Sequence, residues 1–138
     1  MSKLQAQVTL DVPFHDCDPA GIVWHGRYAK YFELARCALL DGLGYGYGEM
    51  ADSGYVWPIL DMSARFLKPA HYKQTLRVQA TLSEWDYRLK IDYDIFSADG
   101  EPMTRAMTTQ VPVLEATREM ELGVPPFVIE LIDKAAAS

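Results

Sequence analysis

His15, Asp16, Cys17, Asp18 and His25 fall within one short stretch, His15-Asp16-Cys17-Asp18-Pro19-Ala20-Gly21-Ile22-Val23-Trp24-His25-Gly26-Arg27-Tyr28. A carboxylate can act as a general base on water or attack a carbonyl itself, and an imidazole can place water or move a proton. Each side chain also has a plainer reading. Asp18, placed before Pro-Ala-Gly, is on spacing alone a turn former, since aspartate bonds its own backbone two residues on. Asp16 reads as a solvated or structural residue rather than a second acid, and His25 as either a catalytic group or a satisfied histidine at a helix end. Cys17 has no neighbour that clearly stabilises a thiolate, which places it behind the carboxylates as a nucleophile. His15, Asp16, Asp18 and His25 together have the types of a metal-ligand set, but no defining spacing such as HExxH.

The stretch joins a strand pattern to a helix pattern. From Gln5 to Phe14, Ala6, Val8, Leu10, Val12 and Phe14 alternate with polar residues, a strand with one buried face that Pro13 ends or confines to an edge. Tyr28, Phe32, Ala35, Leu39 and Leu43 then recur at spacings of four and three along one side of a helix, closed by Gly42 or Gly44. No Ser, Thr, Asp or Asn immediately precedes the first helical turn, where Trp24, His25 and Gly26 stand. The first backbone N–H groups therefore lack a side-chain cap, and a ligand oxygen can supply one.

Beyond the helix, Tyr45-Gly46-Tyr47-Gly48 leads through a short acidic segment to Gly54. Four strand-like runs follow: Trp57 to Leu67, Leu76 to Ser83, Leu89 to Ile95 and Met103 to Leu114. Lys68-Pro69-Ala70-His71-Tyr72 and Trp85-Asp86-Tyr87 read as turns, and Asp99-Gly100 as a hairpin. Pro125-Pro126 starts a short amphipathic helix over about 125–136, with Phe127, Ile129, Leu131 and Ile132 available for docking. The order β-α-β-β-β-β plus a C-terminal helix predicts an α+β sandwich, one long helix on one face of a curved antiparallel sheet. Sheet edges need cover or pairing, so dimerisation edge to edge is expected, with active sites at the seam.

The chain has 138 residues, 49% hydrophobic and 23% charged, as expected for one globular domain spanning 1–138. A formal net charge of −6 excludes a general nucleic-acid binder, so any anionic ligand must meet a local cluster of Arg and Lys. Two cysteines make no disulfide framework and no CxxC knuckle. Met-Ser-Lys-Leu-Gln at the start lacks a secretory run, and no apolar stretch approaches membrane-spanning length, so a cytoplasmic protein without membrane partners is expected.

Asp18-Pro19-Ala20-Gly21-Ile22-Val23-Trp24, followed by His25, Tyr28 and the amphipathic helix, resembles the signature of the 4-hydroxybenzoyl-CoA thioesterase family of hotdog-fold acyl-CoA thioesterases. Phe66-Leu67-Lys68-Pro69-Ala70-His71-Tyr72 is similar to the same family's strand-ending Pro-Ala-x-Tyr segment. The likeness in element order runs to about Leu114. It implies a hotdog fold, with an antiparallel five-stranded sheet wrapped around one long central helix. It also implies a homodimer or homotetramer, and hydrolysis of an acyl-CoA or aroyl-CoA thioester with Asp18 as the essential carboxylate. His25 matches a histidine found in one branch of the family. Two positions depart from the pattern: Arg27 stands where asparagine is common, and Gln74 near where an acidic residue often lies.

On this reading Asp18 is a base or nucleophile, and the uncapped N–H groups near His25 polarise the thioester carbonyl. Losing one such donor typically costs about 3 kcal/mol of transition-state stabilisation. Coenzyme A, here part of the substrate rather than a cofactor, carries phosphates that favour Arg and Lys. Arg88 and Lys90 on the polar side of one strand, with Arg65 and Lys68 at another strand end, are the candidates beside their plainer role as solvated charges. Trp24, Tyr28, Tyr45, Tyr47 and Trp57 are available to line an acyl pocket. No metal or redox cofactor is expected. An acyl-carrier protein in place of CoA, or a module that binds acyl-CoA without turnover, are the alternatives.

Overall fold

The computed structural model describes residues 3–138, so Met1 and Ser2 at the head of the segment read as lacking a secretory run lie outside it. The strands β1 (Gln5–Asp11), β3 (Ile59–Phe66), β4 (Thr75–Glu84), β5 (Leu89–Ser97) and β6 (Pro102–Gln110) form one antiparallel sheet in the order β1-β4-β5-β6-β3. The long helix α1 (Tyr28–Leu43) lies over β1 and β4, which gives the expected α+β hotdog arrangement. Among the described residues no helix is long and apolar enough to cross a membrane.

The sheet's inner face follows the alternation in the sequence. Leu76, Val78, Ala80 and Leu82 of β4, with Leu89, Ile91, Tyr93 and Ile95 of β5, are buried, while their polar neighbours are not. One row across the sheet pairs Ala6 with Ala80, Ala80 with Tyr93, Tyr93 with Ala106 and Ala106 with Ala64. Small side chains leave room for a helix, and Phe32 of α1 stacks on Tyr93 with centroids 5.0 Å apart. Gly44, at φ 81°, closes α1 and donates its N–H to the carbonyls of Leu40 and Asp41.

Several boundaries differ from those expected. Phe14 is exposed, because the chain leaves the sheet at Asp11 and Pro13 leads into a tight turn over Phe14–Asp16. Tyr47–Ser53 is a helix, α2. The Glu49 carboxylate accepts the Gly46 N–H at its start, and Gly54 at φ 82° ends it. The run from Met103 to Leu114 breaks after Gln110; Val113–Leu114 (β7) pairs instead with Tyr55–Val56 (β2). Trp57 and Pro58 precede β3 rather than opening it. In the C-terminal helix α3 (Pro126–Ala136) the buried residues are Val128 and Ile132. Ile129 and Leu131 are only partly covered, and half-exposed Phe127 meets the rings of Tyr45 and Tyr55.

The edge strand β3 is exposed along its whole length. Ile59, Leu60, Met62 and Phe66 keep 42%, 59%, 54% and 46% of their surface open. β1, the other edge, is largely half-buried beneath α1.

Candidate active site

The motif folds as a small hairpin over residues 16–24. Cys17 and Val23 face each other across it, the Asp18 N–H bonds the Ile22 carbonyl at 2.9 Å, and the Trp24 N–H closes the base on the Asp16 carbonyl at 3.0 Å. Its tip turns at Asp18-Pro19-Ala20-Gly21, and Gly21 takes the φ of 80° that favours glycine. The second motif is sewn to the first. The Val23 N–H meets the Ala70 carbonyl at 2.8 Å, the Tyr72 N–H meets the Gly21 carbonyl at 3.1 Å, and Ile22 bridges His71.

Asp18 does form the turn: Oδ1 accepts the N–H of Ala20 at 2.9 Å and of Ile22 at 3.4 Å. No donor among the described residues meets its other oxygen. The carboxylate lines a cleft of about 260 Å³ with Trp24, His25, Tyr28, Phe66 and Pro69. The turn former and the candidate catalytic acid are therefore one residue: one oxygen holds the tip while the other is free. The helix entry is uncapped by any side chain, as expected. Trp24 precedes a tight turn over His25–Arg27 that runs straight into α1. Among the described residues the N–H groups of His25 and Gly26 meet no acceptor. The Trp24 indole lies against Gly26, where a Cβ would clash with the ring atoms Cζ3, Cη2 and Cε3.

Of the expected site residues, Asp18, His25, Trp24 and Tyr28 come together. His25 is exposed and stands 5.0 Å from the Trp24 ring, while Tyr28 is buried, with its hydroxyl accepting the Ala70 N–H at 3.4 Å. Burial pushes the Tyr28 hydroxyl's pKa up, so it stays a neutral phenol.

Arg65, Arg88 and Lys90 do not join them. Buried Leu89 and Ile91 put Arg88 and Lys90 on the sheet's outer face by strand parity, and Arg88 Nε is 3.3 Å from Glu84. Lys90 pairs in register with Thr109, at the other end of β6 from the Thr104 that faces Phe66. Arg65 is beside Phe66 in sequence but points to the opposite face and lies across from Arg105. Lys68, next to Pro69, is ion-paired with Glu101.

Ile22, Val23, Phe66 and Pro69 also line the cleft and were not singled out as site residues, although the two motif segments contain all four. Asp16 is the larger surprise. The residue is 1% exposed, Oδ1 takes Lys30 Nζ at 2.7 Å and Oδ2 takes the Tyr31 hydroxyl at 2.7 Å. Burial by itself would raise its pKa, but the Lys30 and Tyr31 hydrogen bonds outweigh that and hold the carboxyl below its ordinary value. Burial and the neighbouring Asp16 push the Tyr31 hydroxyl far up, so it remains a donor.

Cys17 goes the other way as a nucleophile candidate. Partial burial, then Asp16 and Asp18, raise its thiol, and Sγ points to the Pro13 carbonyl at 3.7 Å. His15, Asp16, Asp18 and His25 do not gather as a ligand set, and among the described residues no three His, Cys, Asp or Glu side chains do.

A second cavity, an open apolar groove of about 630 Å³, lies between α2 and the β2–β7 pair. Tyr47, Met50, Tyr55, Trp57 and Val113 line it. Within one chain it opens at the start of β3, whereas the Asp18 cleft sits at the strand's far end.

Residues 12–134 match the model of the thioesterase-like superfamily. The chain is 32% identical to a 4-hydroxybenzoyl-CoA thioesterase of a Pseudomonas species over 77 residues, 54% of this chain and 55% of that protein. It is 29% identical to a 1,4-dihydroxy-2-naphthoyl-CoA hydrolase of Thermosynechococcus vestitus over 116 residues, 83% and 79% of the two chains. The crystal structure of a DHNA-CoA thioesterase from Staphylococcus aureus shares the fold. Its TM-score is 0.85 at 24% identity, with 96% of this chain and 91% of that one covered.

Proposed function

Because the chain belongs to the thioesterase-like superfamily, we propose that it hydrolyses an acyl-CoA or aroyl-CoA thioester to the free acid and coenzyme A. The observation that carries this reading is a carboxylate with a free oxygen lining one cleft with His25, next to the backbone N–H groups of His25 and the adjoining Gly26, which meet no acceptor among the described residues. The thioester carbonyl oxygen rests on the N–H groups of His25 and Gly26, which stabilise the charge that grows on it as the carbon is attacked. Asp18 drives that attack, either by taking a proton from water or by bonding to the carbon itself. The C–S bond then breaks and the thiolate of coenzyme A takes up a proton. Where Asp18 itself has bonded to the carbon, water next cleaves the mixed anhydride to free the acid and restore the carboxylate. His25 at the same cleft positions water or relays a proton. No metal or redox group is required.

The open edge of β3 supports a homodimer formed by twofold, antiparallel pairing of that strand with its copy. Such pairing brings the Phe66 end of one β3 beside the Ile59 end of the other. The Asp18 cleft of one protomer then adjoins the partner's aromatic groove, and the acyl group occupies that groove. About 630 Å³ of apolar space suits an aroyl or medium-length acyl chain.

A thiol-release assay across aromatic and aliphatic CoA esters, run alongside Asp18→Asn, tests this reading. Wild type is expected to turn over at least one ester class. The variant should fold and bind ligand but lose about 10²-fold or more in kcat. Near-normal turnover by Asp18→Asn would remove the carboxylate from the mechanism.

A further inference from the structure

The 16–24 hairpin carries Asp18 at its tip, and the unpaired N–H groups of His25 and Gly26 follow directly from its base. Any swing about that base changes how the carboxylate faces the donors. The Asp16 side chain sits at the base. It reaches Lys30 with one oxygen and Tyr31 with the other, both at 2.7 Å and both in the first turn of α1. Arg27 Nε and His15 Nε2 lie farther off, 4.0 and 3.8 Å from Oδ1. The same residue's carbonyl accepts the Trp24 N–H, so Asp16 bonds the outgoing arm of the hairpin through its backbone and the helix through its side chain. A buried carboxylate is a poor choice for stability alone, since a well-packed apolar pair often does as well. Two short directional bonds from one planar group do what an apolar pair cannot: they fix an angle between two elements.

We propose that Asp16 is a positioning residue for hydrolysis, setting the hairpin against α1 so that Asp18 faces the acyl carbon whose oxygen rests on the N–H donors; this rests on the role assigned to Asp18. Asp16→Asn keeps the shape and an acceptor for Tyr31 but loses the charge that holds Lys30. In the thiol-release assay, with an ester that wild type turns over, its kcat per folded protein is expected to fall about 10- to 100-fold, because small misplacements at a reacting centre cost that much. Its KM should stay within about threefold, the signature of an interaction that matters in the transition state.

Lys30→Met and Tyr31→Phe, each removing one arm, should lower kcat by smaller factors. Adding Asp16→Asn to Asp18→Asn should cost little more, since a group acting through Asp18 then has nothing left to place. An unchanged kcat in folded Asp16→Asn, or a fully additive loss in the double variant, overturns the proposal. Should Asp16→Asn fail to fold, an unchanged kcat in both Lys30→Met and Tyr31→Phe overturns it. Absence of turnover by wild type on every ester would instead overturn the hydrolase reading.

Discussion

Asp16 and Asp18 stand two positions apart, and the fold treats them in opposite ways. Asp16 is buried with both oxygens engaged; Asp18 lies half-buried at a turn with one oxygen free. The composition of the motif does not separate them, because both are aspartates near a helix entry. What separates them is the hairpin, which turns one toward α1 and the other toward the cleft. The difference has a consequence for acid stability. The Asp16 carboxyl is depressed in the folded state, so its contribution is complete above the ordinary carboxylate range and drains away as pH falls through the lowered value. Lys30 is nearly half in water, which limits the size of that contribution. At pH 7, denaturant melts should find Asp16→Asn less stable than wild type by about 1–2 kcal/mol. The gap should narrow as pH falls through the ordinary carboxylate value and close once it passes below the lowered one. A gap that holds constant into acid would show that the charge on Asp16 adds nothing to folding.

The long periodic elements were legible because their patterns repeat. Alternation located β4 and β5 with their buried faces, four-and-three spacing located α1, and Asp99-Gly100 marked a hairpin in which Gly100 has φ 88°. Short pieces carry no period. α2 spans seven residues and β2 and β7 two each, so the walls of the large groove were invisible until Glu49, Gly54 and the Tyr55–Leu114 pairing were seen. Arg88 and Lys90 show a further limit. Alternation correctly put them on the polar side of a strand, but it could not tell that this side turns away from the cleft. Edge-to-edge pairing was expected, but that β3 is the open edge was hidden, since alternation does not give the order of strands in the sheet. Met62, opposite Thr108 on the helix side of the sheet and 54% exposed, probes that edge. Met62→Lys places a charge where the proposed twofold pairing would need an apolar contact. It is expected to shift the protein to monomer in size-exclusion chromatography with light scattering, and to abolish turnover although Asp18 is untouched. A persistent dimer with full activity would place the seam elsewhere.

In the proposed dimer, the two cavities that one chain holds apart would become neighbours across the twofold axis. Along β3 the step from Pro58 to Phe66 covers roughly 26 Å, too far for one acyl group attached at Asp18 to reach its own chain's groove. Ala51 on α2 lines that groove, so Ala51→Trp should fill it and remove turnover of bulky acyl esters while sparing short ones. Mixing then separates the two arrangements. Unfold and refold equal amounts of Ala51→Trp and Asp18→Asn chains together, each of which alone is inactive on a bulky ester. If cleft and groove come from different protomers, every mixed dimer holds one site with an intact Asp18 facing an open groove and one site with both defects. Half of the dimers are mixed, so about a quarter of wild-type activity should return. If each chain used its own groove, both sites of a mixed dimer would be defective and no activity would return. Recovery near a quarter therefore requires the acyl group to cross the seam, and its absence would return the groove to the chain that carries it.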